Sequence, residues 1–252
     1  MNQKIIYYKD ELNDEFSKAK IEPILIDENY KYFHGSLWNM ASYIMQNFLS
    51  MPIKILYSKI KFRIKFIGKE KLKKYKKTGY FIYANHTQEF ADTFIPSLGV
   101  FPKRNYFIVN PENISMKGLK TVVEMLGAIP VPGNKKAMIN FVDKIKYEIE
   151  KKHSISIYPE AHIWPYYTKI RPFKSVSFKY PTKLNVPVFS LTNTYKDVNG
   201  KVRIVTYIDG PFLPDKDLTI KENQENLRNK VYETMCERSK NSDIEIIKYV
   251  KG

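Results

Sequence analysis

Apolar positions recur along the chain in three rhythms. Leu37, Trp38, Met40, Ala41, Ile44, Met45, Phe48 and Leu49 fall at helical spacing, and no charged side chain stands between His34 and Lys54. Pro52 predicts a break in that helix, which the pattern carries to about Tyr57. From Lys59 the period shortens to two. Lys59, Lys61, Arg63 and Lys65 alternate with Ile60, Phe62, Ile64 and Phe66, as in a strand with one wet face that Gly68 ends. The run Tyr80 to Ala84 is apolar or aromatic throughout, the mark of a strand buried on both faces. Beyond it the rhythms alternate. Strands are predicted over 105–110, 128–131, 154–158, 186–192 and 202–208. Helices are predicted over 116–126, from Asn134 onward with Met138, Phe141, Val142, Ile145 and Ile149 on one stripe, and over 219–241. Residues 10–20 predict a short charged helix, and the aromatic and basic stretch up to Phe178 predicts irregular backbone. This succession predicts an α/β fold with a largely parallel central sheet flanked by helices. It divides the chain into an N-terminal helical segment, 1–57, and an α/β domain, 58–252.

Composition changes the picture at one point. The 252 residues carry 42 Lys and Arg against 26 Asp and Glu, a formal net charge of +16. A surface that basic attracts nucleic acid, anionic membrane or phosphorylated substrates. No nucleic-acid reading motif and no Gly-rich phosphate loop accompanies the charge, so nucleic acid is not expected as a partner. Cys236 is the only cysteine, which excludes an internal disulfide and a cysteine zinc site. His34, His86, His153 and His162 lack metal-ligand spacing, so no metal is expected. The N-terminus lacks the pattern of a signal peptide, and no stretch reaches the ~18 apolar residues of a membrane span. Two readings of the uncharged helix remain open. It packs on the core, or it lies in a bilayer interface with Lys54, Lys59, Lys61, Arg63 and Lys65 meeting lipid phosphates.

The candidate chemistry follows the buried strand. Asn85 and His86 leave its C-terminal end, where open α/β sheets place ligands, and Asp92 opens a short helix six positions on. A carboxylate that holds one imidazole nitrogen protonated leaves the other free to take a proton from a hydroxyl. With no serine-centred elbow nearby, that hydroxyl belongs to the substrate. Glu89, three residues after His86, is a rival for the same role.

Four short stretches, in order, resemble the glycerolipid acyltransferase family that includes bacterial 1-acylglycerol-3-phosphate acyltransferase. They are Ala84-Asn85-His86 to Asp92; Gly127-Ala128-Ile129-Pro130-Val131; Tyr158-Pro159-Glu160 with Pro172-Phe173-Lys174; and Asn185-Val186-Pro187-Val188, with Gly210-Pro211 beyond. The resemblance covers about residues 58–215 and includes an upstream interfacial helix. It implies a membrane-surface O-acyltransferase at the cytoplasmic face of the membrane, peripheral or monotopic. The implied acceptor is a lysophospholipid or glycerol phosphate. The implied donor is an acyl thioester on coenzyme A or acyl carrier protein, a co-substrate rather than a cofactor. On this resemblance His86 is the base and Asp92 its orienting acid, Asn85 and Glu89 are expected near substrate, and Glu160 either contacts substrate or is a hydrogen-bonding partner that shapes the loop. Arg171 and Lys174, close by in sequence, are the candidates to hold a phosphate. The chain departs from the family pattern in three places. Five residues rather than four separate His86 from Asp92. Ala161, His162 and Ile163 stand where Gly, Thr and Arg are expected. Gly133 stands near the usual arginine of the second stretch. Lys135, Lys136 and Lys169 are further candidates for holding a phosphate. The altered motifs leave a second reading open, a lipid-binding protein on this scaffold without transfer activity.

Overall fold

The computed structural model describes residues 3–17 and 21–252. In chain order the elements are β1 (Lys4–Tyr8), α1 (Ser36–Ile44), α2 (Ser50–Tyr57), β2 (Lys65–Ile67), β3 (Tyr80–Ala84), α3 (Ile95–Val100), β4 (Asn105–Val109), α4 (Lys120–Met125), β5 (Ala128–Pro130), α5 (Ala137–Glu150), β6 (Ser154–Ile157), α6 (Lys179–Leu184), β7 (Val188–Val198), β8 (Lys201–Phe212), α7 (Ile220–Ser239) and β9 (Ile247–Lys251). Seven strands form the central sheet in the order β2-β8-β7-β3-β6-β4-β5. Every pairing is parallel except the β7–β8 hairpin. β3 lies at the middle of the sheet and is buried along its whole length. Its alternation serves two cores. Phe81 and Tyr83 pack with Phe141 and Ile145 of α5 and with Leu227, Val231 and Met235 of α7. Tyr80, Ile82 and Ala84 pack on the other face with Leu72, Ile95, Leu191 and Ile208. Each large side chain so buried contributes about 1.5–3 kcal/mol, which makes β3 a fixed point for whatever follows it.

Four sequence expectations are corrected. The helix does not break at Pro52. A π-helical turn, Met45–Leu49, joins α1 to α2, and Pro52 falls in the first turn of the new segment, where a missing N–H is tolerated. The helical run then continues through a second π turn, Ser58–Phe62, so the alternating stretch is a strand only from Lys65. A boundary at 57/58 therefore falls inside continuous helix. The charged stretch after Asp10 is turn and loop over 10–17, because Asp14 accepts from the backbone of Lys9 and Asp10, and Asp10 from Leu12, in competition with helical bonds. Residues 18–20 of that expectation lie outside the described residues. A short helix, α6, occupies part of the loop before β7 and closes on Asn185 with φ 49°.

β1 and β9 form a separate two-stranded parallel sheet that joins the two ends of the chain. Gly68 turns the backbone at φ 86° into β2's return, where a Cβ would stand 2.2 Å from the Ile208 carbonyl oxygen.

Candidate active site

β3 hands the chain to a tight loop, 85–94, whose polar groups are almost all committed. Asn85 is buried; its Oδ1 accepts from the Asn193 N–H at 2.8 Å and its Nδ2 donates to the Asn193 carbonyl at 3.1 Å. The amide therefore stitches the end of β3 to β7 and is not presented to a ligand, contrary to the expectation of a substrate contact.

His86 and Asp92 meet across the loop, with Nδ1 and Oδ2 2.8 Å apart. The same carboxylate oxygen accepts from the backbone N–H of Thr87 at 2.8 Å and of Gln88 at 2.9 Å. The other oxygen takes the Asn193 amide at 3.4 Å. Burial pushes Asp92 above the ordinary carboxylate range, and the His86 hydrogen bond, then the two backbone donors, oppose that push. With Asp92 fully buried and the imidazole side chain 18% exposed, Nδ1 is occupied and Nε2 has no hydrogen-bond partner among the described residues. Tyr158 stacks on the imidazole, ring centres 4.3 Å apart, and donates its hydroxyl to the Asp92 carbonyl. Two constraints thus fix the ring: a hydrogen-bonded carboxylate at one nitrogen and an aromatic wall against one face. The extra residue between His86 and Asp92 is absorbed in the loop, where no helical register has to be kept.

Glu89 is not a rival. It is exposed and accepts from the Ser17 hydroxyl at 2.7 Å. Glu160 is buried. Its Oε2 accepts the His86 N–H at 2.9 Å and its Oε1 accepts the Arg171 N–H at 2.9 Å. Burial raises Glu160, and the Arg171 charge and these two N–H groups pull it back. Arg171 is buried as well, 3.6 Å from Glu160, and donates to the carbonyls of Glu11 and His162 while lying over the Trp164 ring. Glu160 and Arg171 are therefore internal struts, both buried, with Arg171 Nε enclosed beside them without a partner. Lys174 is exposed, as are Lys135, Lys136 and Lys169. Lys135 and Lys136 follow β5, at the same end of the parallel sheet as His86.

The stretch after β6 is zipped onto the histidine loop. Trp164 donates its N–H to the His86 carbonyl at 3.1 Å and Tyr166 to that of Thr87 at 2.9 Å. Trp164 is fully buried and stacked on Tyr249 of β9 at 4.9 Å, so it belongs to the core. Tyr195 bonds Thr87 Oγ1 at 2.8 Å and takes the Gln88 amide at 2.9 Å beneath the loop. The roles of Tyr158, Asn193 and Tyr195 were not assigned from sequence. A signal existed for the last two in the buried polar run Ser190, Thr192, Asn193 and Thr194 inside an otherwise apolar strand.

One consequence concerns charge. The amides of His86, Thr87 and Gln88 are all consumed by carboxylates, so none of the three is free to serve a developing oxyanion.

Outside the loop the surface turns apolar. Tyr57 packs on Phe90 and Phe94, 5.6 and 5.4 Å between ring centres, which places the end of α2 directly against the histidine loop. From there Ile53, Leu56 (60% exposed) and Ile60 (73% exposed), with Phe90, present their side chains to solvent.

The site is thus a histidine seated on a buried carboxylate, at the C-terminal edge of a parallel sheet and beside an apolar rim. Residues 63–193 match the family model described as Acyltransferase, and the chain belongs to that family; it is an acyltransferase. Its fold is similar to that of the 1-acyl-sn-glycerophosphate (LPA) acyltransferase PlsC from Thermotoga maritima, with a TM-score of 0.55 and 18% identity over 82% of this chain and 88% of that one. No curated protein matches it in sequence.

Proposed function

We propose that the protein is a membrane-surface O-acyltransferase that moves a fatty acyl group from an acyl thioester to the hydroxyl of a lysophospholipid or glycerol phosphate. The observation that carries the reading is the His86–Asp92 pair, buried on the acid side and open on the imidazole side. His86 Nε2 takes the acceptor's hydroxyl proton as its oxygen attacks the thioester carbonyl. Asp92 holds the opposite N–H and stabilises the imidazolium. Collapse of the tetrahedral adduct expels the thiolate, which leaves with the proton that His86 took.

The exposed row Phe48, Leu49, Ile53, Leu56 and Ile60 supports a peripheral seat in a lipid surface. Lys59, Lys61 and Lys65 beside it suit an anionic headgroup layer. Among the described residues no helix is long and apolar enough to cross a membrane. Lys135, Lys136 and Lys174 are the exposed cations proposed to meet the acceptor's phosphate, Arg171 being engaged elsewhere.

The test is a panel. Purified protein on anionic vesicles is given labelled acyl-coenzyme A or acyl carrier protein with lysophosphatidate, lysophosphatidylglycerol or lysophosphatidylcholine, and products are separated by mass. Transfer to a phosphate-bearing lysolipid supports the reading. Vesicle binding without transfer to any acceptor contradicts it.

A further inference from the structure

At the end of the sheet away from His86, a small solvent-open cleft lies between the π turn after α1, α2, α3 and the start of β4. Asn105 pairs with Ser154, and Ser154 with Tyr80, so this is the N-terminal end of the parallel strands. His86 leaves the other end, about 17 Å away along a five-residue strand.

Three cations line the cleft. Lys54 is 5% exposed, and its Nζ has one long hydrogen bond, 3.4 Å to Ser97 Oγ. Lys103 donates to the carbonyls of Lys76 and Thr78 at 3.1 and 3.0 Å and to that of Lys152. Arg104 uses Nε on Gln46 and Nη2 on Ser42, at 3.1 and 2.8 Å, and Nη1 has no bond among the described residues. None of the three is ion-paired with a carboxylate among the described residues. Asn105, 4% exposed, spends its Oδ1 on Ser154 and Ser156 while its buried Nδ2 has no partner.

Stability does not account for such a cluster. Burying a cation without a counter-charge costs free energy, and burial has already drawn Lys54 and Lys103 down to about 8. An anion supplied from outside would pair with Lys54 and meet the free Nη1 of Arg104 and the unpartnered Nδ2 of Asn105, while Lys103, whose three N–H groups are taken by carbonyls, would add only its charge. One ammonium group, a guanidinium edge and an amide donor, with the charge of Lys103 beside them, match an oxyanion with several acceptor oxygens and more than one charge better than they match a single carboxylate.

We propose that this cleft is a second, non-catalytic phosphate-binding site, which takes a terminal phosphate group through Lys54, Arg104 and Asn105, with Lys103 adding its charge. Its position next to the exposed Phe48, Leu49 and Ile53 allows that phosphate to come from a lipid headgroup as well as from solution.

Lysine methylation with a 13C label keeps the charge and lets each ammonium be followed by NMR, with the Lys54 signal identified by its loss in Lys54→Met. Adding inorganic phosphate at constant ionic strength should shift the Lys54 signal saturably and raise the pH at which it titrates. Arg104→Gln should weaken that response by at least about tenfold. His86→Ala should leave it unchanged, which separates this site from the catalytic one. Because Arg104 also ties β4 to the helices, Lys54→Met gives a second reading: phosphate should raise the wild-type Tm more than the variant's. Tighter binding of dihexanoyl phosphatidate than of inorganic phosphate supports a lipid source, and equal binding supports a soluble one. A Lys54 signal indifferent to both, or a response undiminished in Arg104→Gln, overturns the proposal.

Discussion

Asp92 holds four hydrogen bonds in a buried site, and in the proposed mechanism its protonation decides whether His86 can work. A carboxylate raised by burial takes up its proton at a higher pH than an exposed one, and the protonated form no longer stabilises the imidazolium. Activity should therefore begin to fall above the range of an ordinary carboxylate as pH is lowered, and a kcat–pH profile measures the limb directly. Asp92→Asn should lower kcat by about 10²–10⁴ without a matching rise in KM. Glu89→Gln, which touches only Ser17, should stay within about threefold of wild type, as a surface change away from the chemistry does. The reverse order in a parallel assay would reassign the orienting acid. His86 and Asp92 were legible in the sequence because one short loop closes the contact between them. Asn85 and Arg171 were misread for the opposite reason, whereas Glu160 is the loop-shaping hydrogen-bond partner that was one of its two expected roles. The donors and acceptors of these three are taken by Asn193, by each other and by Glu11, across separations of up to 160 residues that no motif displays. Tyr158 stood inside a recognised stretch, yet its stacking on His86 follows only once β6 lies beside β3.

The helical run from Ser36 to Phe62 shows the same division. Its existence was visible in the spacing of Leu37 to Leu49. Its passage beyond Pro52 was not, because two π turns shift the register in a way that apolar spacing does not record. The alternation over 59–66 imitates a strand while the backbone is helical to Phe62. This run has a wet apolar side and a side turned to the sheet, and each gives a prediction. On the outer side, Ile53→Glu combined with Ile60→Glu should reduce co-sedimentation with anionic vesicles at least about tenfold and leave the Tm nearly unchanged, because neither residue is packed. Undiminished sedimentation would remove the helix from the lipid contact. On the inner side, Lys54 titrates near 8 in the fold against 10.5 when exposed, so its charge costs stability below pH 8. That cost, on the order of 3 kcal/mol, fades as pH rises from 8 to 10.5. In phosphate-free buffer Lys54→Met should be more stable than wild type at pH 7, with the gap closing toward pH 10.5. Denaturant unfolding at the two pH values checks it.

For the molecule as a whole, the parallel order of the sheet was legible from the alternation of strand and helix, since only crossover connections fit that succession. The clasp of β1 on β9 was not, because short strands at opposite ends of a chain carry no local sign of each other. That clasp brings Tyr249 onto Trp164 and so backs the loop that carries His86. The net charge of +16 belongs to this scale too. Charged surfaces a Debye length apart, about 10 Å at 0.1 M salt, are screened, so binding to anionic vesicles should weaken between 0.05 and about 0.5 M salt while the apolar contribution persists. Binding that ignores salt would mean that the basic surface plays no part in docking. The central claim is that one imidazole, held by one buried acid, moves the proton in acyl transfer. Single-turnover transfer from acyl-coenzyme A to lysophosphatidate on vesicles, comparing wild type with His86→Ala of equal Tm, tests it most directly. The account predicts a rate about 10²–10⁴ lower in the variant with vesicle binding retained; transfer by His86→Ala at the wild-type rate would contradict it.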